Sequence, residues 1–144
     1  MSAWTSSMLS LLRVVSGFLI TMHGSQKLLA FPAAMPGNPA ELPTLMLAAG
    51  IVELVGGVML ILGLLTRPAA FFLSGEMAVA YFKGHSPQGF WPLLNGGELA
   101  VLYCFVFLFL TVAGGGRYSL DALLRPRTVR EQPVEVRHRR DLAA

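Results

Sequence analysis

The chain has 144 residues, 54% hydrophobic and 13% charged, with a mean hydropathy of +0.61 and a formal net charge of +3. Soluble domains carry about 25% charged residues, so an apolar surplus of this size excludes an ordinary soluble domain and points to one domain embedded in lipid. The single cysteine, Cys104, excludes an internal disulfide and any dithiol exchange confined to this chain.

Residues 1–7 are short and polar, with Trp4 suited to a membrane interface. They lack the basic start of a signal peptide. The apolar stretch that follows contains Arg13 and no small-residue cleavage site, so it reads as retained. Span one is predicted over Met8 to Phe31. Its polar and small residues (Arg13, Ser16, Gly17, Ile20, His23, Gly24, Lys27) recur at helical spacing and form one stripe. Arg13 and Lys27 lie near opposite ends, where long basic side chains snorkel to the surface. Residues 32–43 hold four prolines and read as a loop.

Span two is predicted over Pro43 to Leu65. Glu53 lies near its middle, on a face shared with Gly50, Gly57 and Leu60, and small residues there allow close helix approach. A carboxylate at that depth costs roughly 2.5–3.5 kcal/mol and needs a partner or a wet cavity. Thr66-Arg67-Pro68 forms a tight connection, and span three is predicted over Pro68 to Lys83 with Glu76 at its centre. Ser74, Gly75, Ala78 and Ala80 mark it as a packed, small-residue helix. Residues 84–92 read as a loop with an interfacial Phe90-Trp91 pair and an exposed His85. Span four is predicted over Leu93 to Ala113, with Glu98 early in it and Gly114-Gly115-Gly116 ending it. Residues 118–124 suit a short interfacial helix.

Seven of the eleven basic residues fall in the last 28 positions. A basic tail directly after an apolar span reads as a topology determinant and an anionic-lipid contact, and nucleic acid is not an expected partner. With Arg13 and Arg67 these arginines place both termini in the cytoplasm, leaving only Lys27 and Lys83 near the outside loops. The expected architecture is all-α: an integral membrane four-helix bundle, multi-pass in a bacterial plasma membrane. A faint repeat is visible, because Glu53-Leu and Glu98-Leu each open the second span of a hairpin. On this topology His23, Lys27, Glu53, Glu76 and Glu98 fall in the outer half of the bundle.

Five stretches in order resemble one family: His23-Gly-Ser-Gln26-Lys27-Leu, Gly50-Ile-Val-Glu53-Leu-Val-Gly-Gly, Gly63-Leu-Leu-Thr-Arg67-Pro, Asn95-Gly-Gly-Glu98-Leu and Gly116-Arg117-Tyr-Ser-Leu-Asp121. Together they resemble the DoxX family of small four-helix bacterial membrane proteins over about residues 8–125. The chain thus divides into a DoxX-like transmembrane domain, 1–125, and a basic tail, 126–144. The resemblance implies a quinone-linked or redox-complex role, as an oxidoreductase subunit. The residues matching its motif positions are His23, Gln26, Lys27, Glu53, Glu98, Arg117 and Asp121. Membrane-thiol relatives would need a cysteine pair, which this chain lacks.

The intramembrane cluster has two competing readings. In one, Lys27 pairs with a carboxylate, His23 hydrogen-bonds another, and the helices are simply held together. In the other, His23, Gln26, Lys27, Glu53, Glu76 and Glu98 line a pocket for a quinone headgroup or another small polar ligand, where carboxyl groups exchange protons. A solute or proton path between the helices is a third use of such residues. Haem or metal ligation by the histidines ranks below these, and no metal and no covalently bound cofactor are expected. Arg117 and Asp121, four apart, suit a local ion pair at the membrane surface. Three function classes follow: a quinone-linked oxidoreductase subunit, a non-catalytic scaffold docking soluble redox enzymes through its tail, and a small transporter that would work as a homo-oligomer.

Overall fold

The structure, a computed structural model, describes residues 3–33 and 43–124. Most of the proline-rich loop and the whole basic tail lie outside the described residues, as do the expectations placed on them. Within them every regular element is helical.

Helix α1 runs Ala3–Leu29 and so begins earlier than its apolar pattern implies. The serines that make its start look like a polar leader bond back into the helix. Ser7 Oγ donates to the Ala3 carbonyl at 3.0 Å and Ser10 Oγ to the Ser6 carbonyl at 3.1 Å. Helix α2, Thr44–Leu62, ends where Gly63 takes a left-handed conformation, φ 67°. There the Gly63 and Leu64 amides donate to the Leu60 and Met59 carbonyls, both at 3.0 Å, closing the helix in a Schellman-type cap.

Helix α3 runs Thr66–Ala80. Pro68 falls in its first turn, where a missing amide costs little. The helix continues into a π-helical turn, Tyr81–His85, and a 3₁₀ turn, Ser86–Gln88. The predicted fourth span is broken. A single turn, α4 (Pro92–Asn95), is separated by Gly96 and Gly97 from α5 (Glu98–Ala113). Asn95 causes the break: its Oδ1 accepts the Gly97 amide at 2.8 Å, and its Nδ2 donates to the Gly89 carbonyl at 2.6 Å. An Asx turn competes there with the helical ladder. Helix α6, Leu120–Leu124, closes the described chain as expected.

Helices α1 and α2 form an antiparallel hairpin, and α3 pairs with α5. Gly17 and Gly24 of α1 face Gly57 and Gly50 of α2. A Cβ on Gly24 would meet the Leu54 backbone and the Gly50 carbonyl oxygen, so backbone lies against backbone. The two hairpins meet chiefly through α2 and α3 over a core that includes Ile20, Leu60, Ala70, Leu73 and Phe107. The buried face of α3 runs through Ala69, Leu73, Ser74 and Met77, so Ser74 packs as expected while Gly75 looks into open space. Phe18, Val55, Phe72, Phe105 and Leu108 are exposed on the outside, an apolar coat that suits lipid. Helices α1 and α2 are long and apolar enough to cross a membrane; α5 is apolar but has 16 residues.

Candidate functional site

Lys27 sits in the last turn of α1, with the close glycine contacts beside it. Helical side chains tilt toward their own N-terminus, so Lys27 leans back along α1 toward the middle of α2. There its Nζ meets Glu53 Oε1 at 2.6 Å, with the two side chains 14% and 2% exposed. Glu53 Oε2 is buried without a hydrogen-bond partner among the described residues, and so is Glu76 Oε2. Glu76 is half-buried and lies close enough to feel the charges of both Glu53 and Lys27. The cluster thus holds one cation, two carboxyl groups and two accepting oxygens left unmatched.

A cleft of about 300 Å³ opens beside this cluster, between α1–α2 and α3–α5. Lys27, Glu53 and His23 line it, as do His85 and Tyr103. The His23 ring stands edge-on to Tyr103 with centroids 6.4 Å apart, and Tyr103 stacks on Phe107 at 5.4 Å. His85 is no exposed loop residue. The π turn carries it inward, and its Nδ1 lies 3.1 Å from the Asn95 carbonyl oxygen. Sequence reasoning took His85 for an exposed loop residue and passed over Tyr103. The available signal was one tyrosine tip within an otherwise aliphatic and phenylalanine-rich span.

Gln26, Glu76 and Glu98 stand apart from the cleft lining. Gln26 is half-buried on α1, and Glu98 is exposed in the first turn of α5. Glu98 belongs to the α5 start because Gly96-Gly97 breaks the predicted span just ahead of it. The faint repeat therefore gives its two glutamates different surroundings.

A second polar centre occupies the opposite end, where α1 and α3 begin and α2 and α5 end. Arg13 does not snorkel. It is 1% exposed, and its guanidinium donates only to backbone carbonyls: Gly115 at 2.9 Å, Ile61 at 2.8 Å, and also Leu60 and Tyr118. A cation at the C-terminus of α2 matches the carbonyls and the negative dipole end there. Asp121 reaches the start of α3. Its Oδ1 and Oδ2 accept the Leu65 and Thr66 amides at 2.8 and 2.9 Å and so cap α3, while the Arg117 guanidinium lies 5.7 Å above the Tyr118 ring. These amides lie 56 and 55 residues away in sequence.

The family model described as DoxX matches residues 8–86. A protein of Haemophilus influenzae, described as uncharacterized, is 48% identical over 117 residues, covering 78% of this chain and 87% of its own length. An uncharacterized membrane protein of Mycobacterium tuberculosis is 29% identical over 131 residues, covering 81% of this chain and 80% of its own. No solved structure matches the chain.

Proposed function

The chain belongs to the DoxX family of membrane proteins, and from that membership we propose that it is a quinone-linked subunit of a membrane redox system, binding a quinone headgroup in the Lys27–Glu53 cleft. The observation that carries the reading is the buried, unmatched carboxyl oxygen Glu53 Oε2, on a residue that lines a cavity already supplied with donors. A purely structural ion pair gains nothing from unmatched oxygens, because each buried acceptor left unpaired costs about 1–3 kcal/mol.

The residues present fit such a ligand. Lys27 and the two histidines donate to a ring oxygen, and Glu53 accepts from a ring hydroxyl. A bound quinone would supply two-electron redox chemistry. The chain's own part is to orient the headgroup, keep bulk water from it, and accept or return a proton at Glu53. With one cysteine in the chain, electrons arrive from a substrate or a partner protein rather than from a dithiol within it.

The same proposal places four helical spans in a bacterial inner membrane, the third formed by α3 with its π and 3₁₀ extension and the fourth by α4 and α5. Both termini face the cytoplasm, where the basic tail is available to dock a soluble redox partner. Support comes from the charges: Arg13, Arg67 and Arg117 gather at one end of the helices and Lys27 and Lys83 at the other.

Binding of a short-chain ubiquinone to the full chain in detergent tests the reading. Saturable binding should weaken about 10- to 100-fold in Glu53→Gln and in His23→Ala, the loss of one charge-assisted or aligned contact. Glu98→Gln, outside the cleft, should bind as the parent does. Absent saturable binding, or equal binding by all variants, refutes the proposal.

A further inference from the structure

The cluster at the arginine end of the helices has a cavity of its own. A cleft of about 680 Å³ lies between the start of α3 and the loop after α5. We propose that it binds an anionic phosphate group, held by Arg67 and Arg117 with the Thr66 hydroxyl at its wall. The inference stands apart from whatever the Lys27–Glu53 cleft binds, because the two sites are at opposite ends of the molecule.

Charge comes first. Among the described residues the one carboxylate in the wall is Asp121, whose two oxygens accept the α3 amides close to Arg13. The other charged side chains among the described residues of the wall are Arg67 and Arg117, both exposed. Two guanidinium groups from separate elements make a fork for phosphate oxygens, which they bind bidentately.

Geometry holds those groups in place. Gly114 and Gly116 have φ of 82° and 74°. A Cβ on Gly116 would run into Ser10 and the Ser6 carbonyl, so the loop carrying Arg117 is pressed against α1. The Arg67 Nε lies 3.4 Å from where a Cβ on Gly114 would stand, so the guanidinium lies close over the loop.

The third observation points to a ligand independently. Thr66 lines the cleft and is 0% exposed, yet its Oγ1 has no hydrogen-bond partner among the described residues. A phosphate oxygen is an acceptor for that hydroxyl. Exposed Leu65 and Leu124 line the site, and acyl chains would lie against them. A lipid headgroup and a free phosphate present the same chemistry to the arginines.

The test uses the full chain in detergent, so that the six arginines from Arg125 to Arg140 are constant across variants. Short-chain phosphatidylglycerol, short-chain phosphatidylcholine and inorganic phosphate are titrated separately, with bound adducts read by native mass spectrometry and folding by the thermal midpoint. Phosphatidylglycerol should bind in preference to phosphatidylcholine. Arg67→Gln and Arg117→Gln should each weaken it about fivefold and the pair about 25-fold, while Lys83→Gln at the other end changes nothing. Thr66→Val should weaken binding with both arginines intact. Inorganic phosphate that binds at the site and displaces the lipid assigns a free phosphate; phosphate that fails to displace it assigns a lipid headgroup. Equal binding of the two lipids with no binding of phosphate, or a preference that survives the double substitution in folded protein, overturns the proposal.

Discussion

Replacing Arg13 with methionine separates two physical pictures of one residue. If the side chain snorkelled to the membrane surface, its loss would change stability by about 0.5 kcal/mol or less, as at most exposed positions. In the structure it is buried and bonded to four carbonyls. Methionine fills similar volume but donates nothing. The Leu60 carbonyl would still accept the Gly63 amide, leaving the Ile61, Gly115 and Tyr118 carbonyls without their main donor. Each buried acceptor left unpaired costs about 1–3 kcal/mol. Because two of the three bonds are only part-buried and water can reach them, we expect a total of about 3–5 kcal/mol. That is a large share of the roughly 5–15 kcal/mol that holds an ordinary domain together. Arg13→Lys, which keeps the charge but loses the fork, should cost less than the methionine variant. Equilibrium unfolding in mixed micelles reads the difference. An Arg13→Met protein within about 0.5 kcal/mol of the parent refutes the stapling role.

Two further outcomes follow from the packing. Gly24→Ala places a methyl against the backbone of Leu54 and should cost about 1–3 kcal/mol, whereas Gly75→Ala, with nothing within 4 Å, should be neutral or stabilising by up to about 1 kcal/mol; thermal midpoints of equal size and sign would contradict the close α1–α2 contact. Lys27→Met leaves Glu53 charged and unpaired and should destabilise by about 3–5 kcal/mol, while adding Glu53→Leu should restore most of the loss. Equal stability of the single and double variants would show that the pair is not coupled.

Membrane character, the two hairpins and the buried stripe of α1 were legible in the sequence because they rest on composition and on a 3.6-residue period. Both are properties of one segment at a time. Glu53 declared itself in the same way, as a lone carboxylate in an apolar run, and Lys27 as a basic residue on the matching stripe. The misread features are those settled by partners distant in the chain. Arg13 looked like a snorkelling end residue because its carbonyl acceptors lie 47 to 105 positions away. The cap that Asp121 gives α3 went unseen because the amides it accepts are more than 50 residues upstream.

The sequence by itself determined that this chain is a helical membrane protein of the DoxX family and which polar residues must be sheltered inside it, since lipid tolerates neither exposed backbone nor unpaired charge. Tertiary structure alone decided how those residues are grouped. The break at Gly96-Gly97 leaves Glu98 exposed and apart from the cleft, the π turn brings His85 into it, and the glycine contacts between α1 and α2 set Lys27 against Glu53. Each depends on the phase in which one helix meets another, and a helix's own sequence does not encode the rotation of its neighbour.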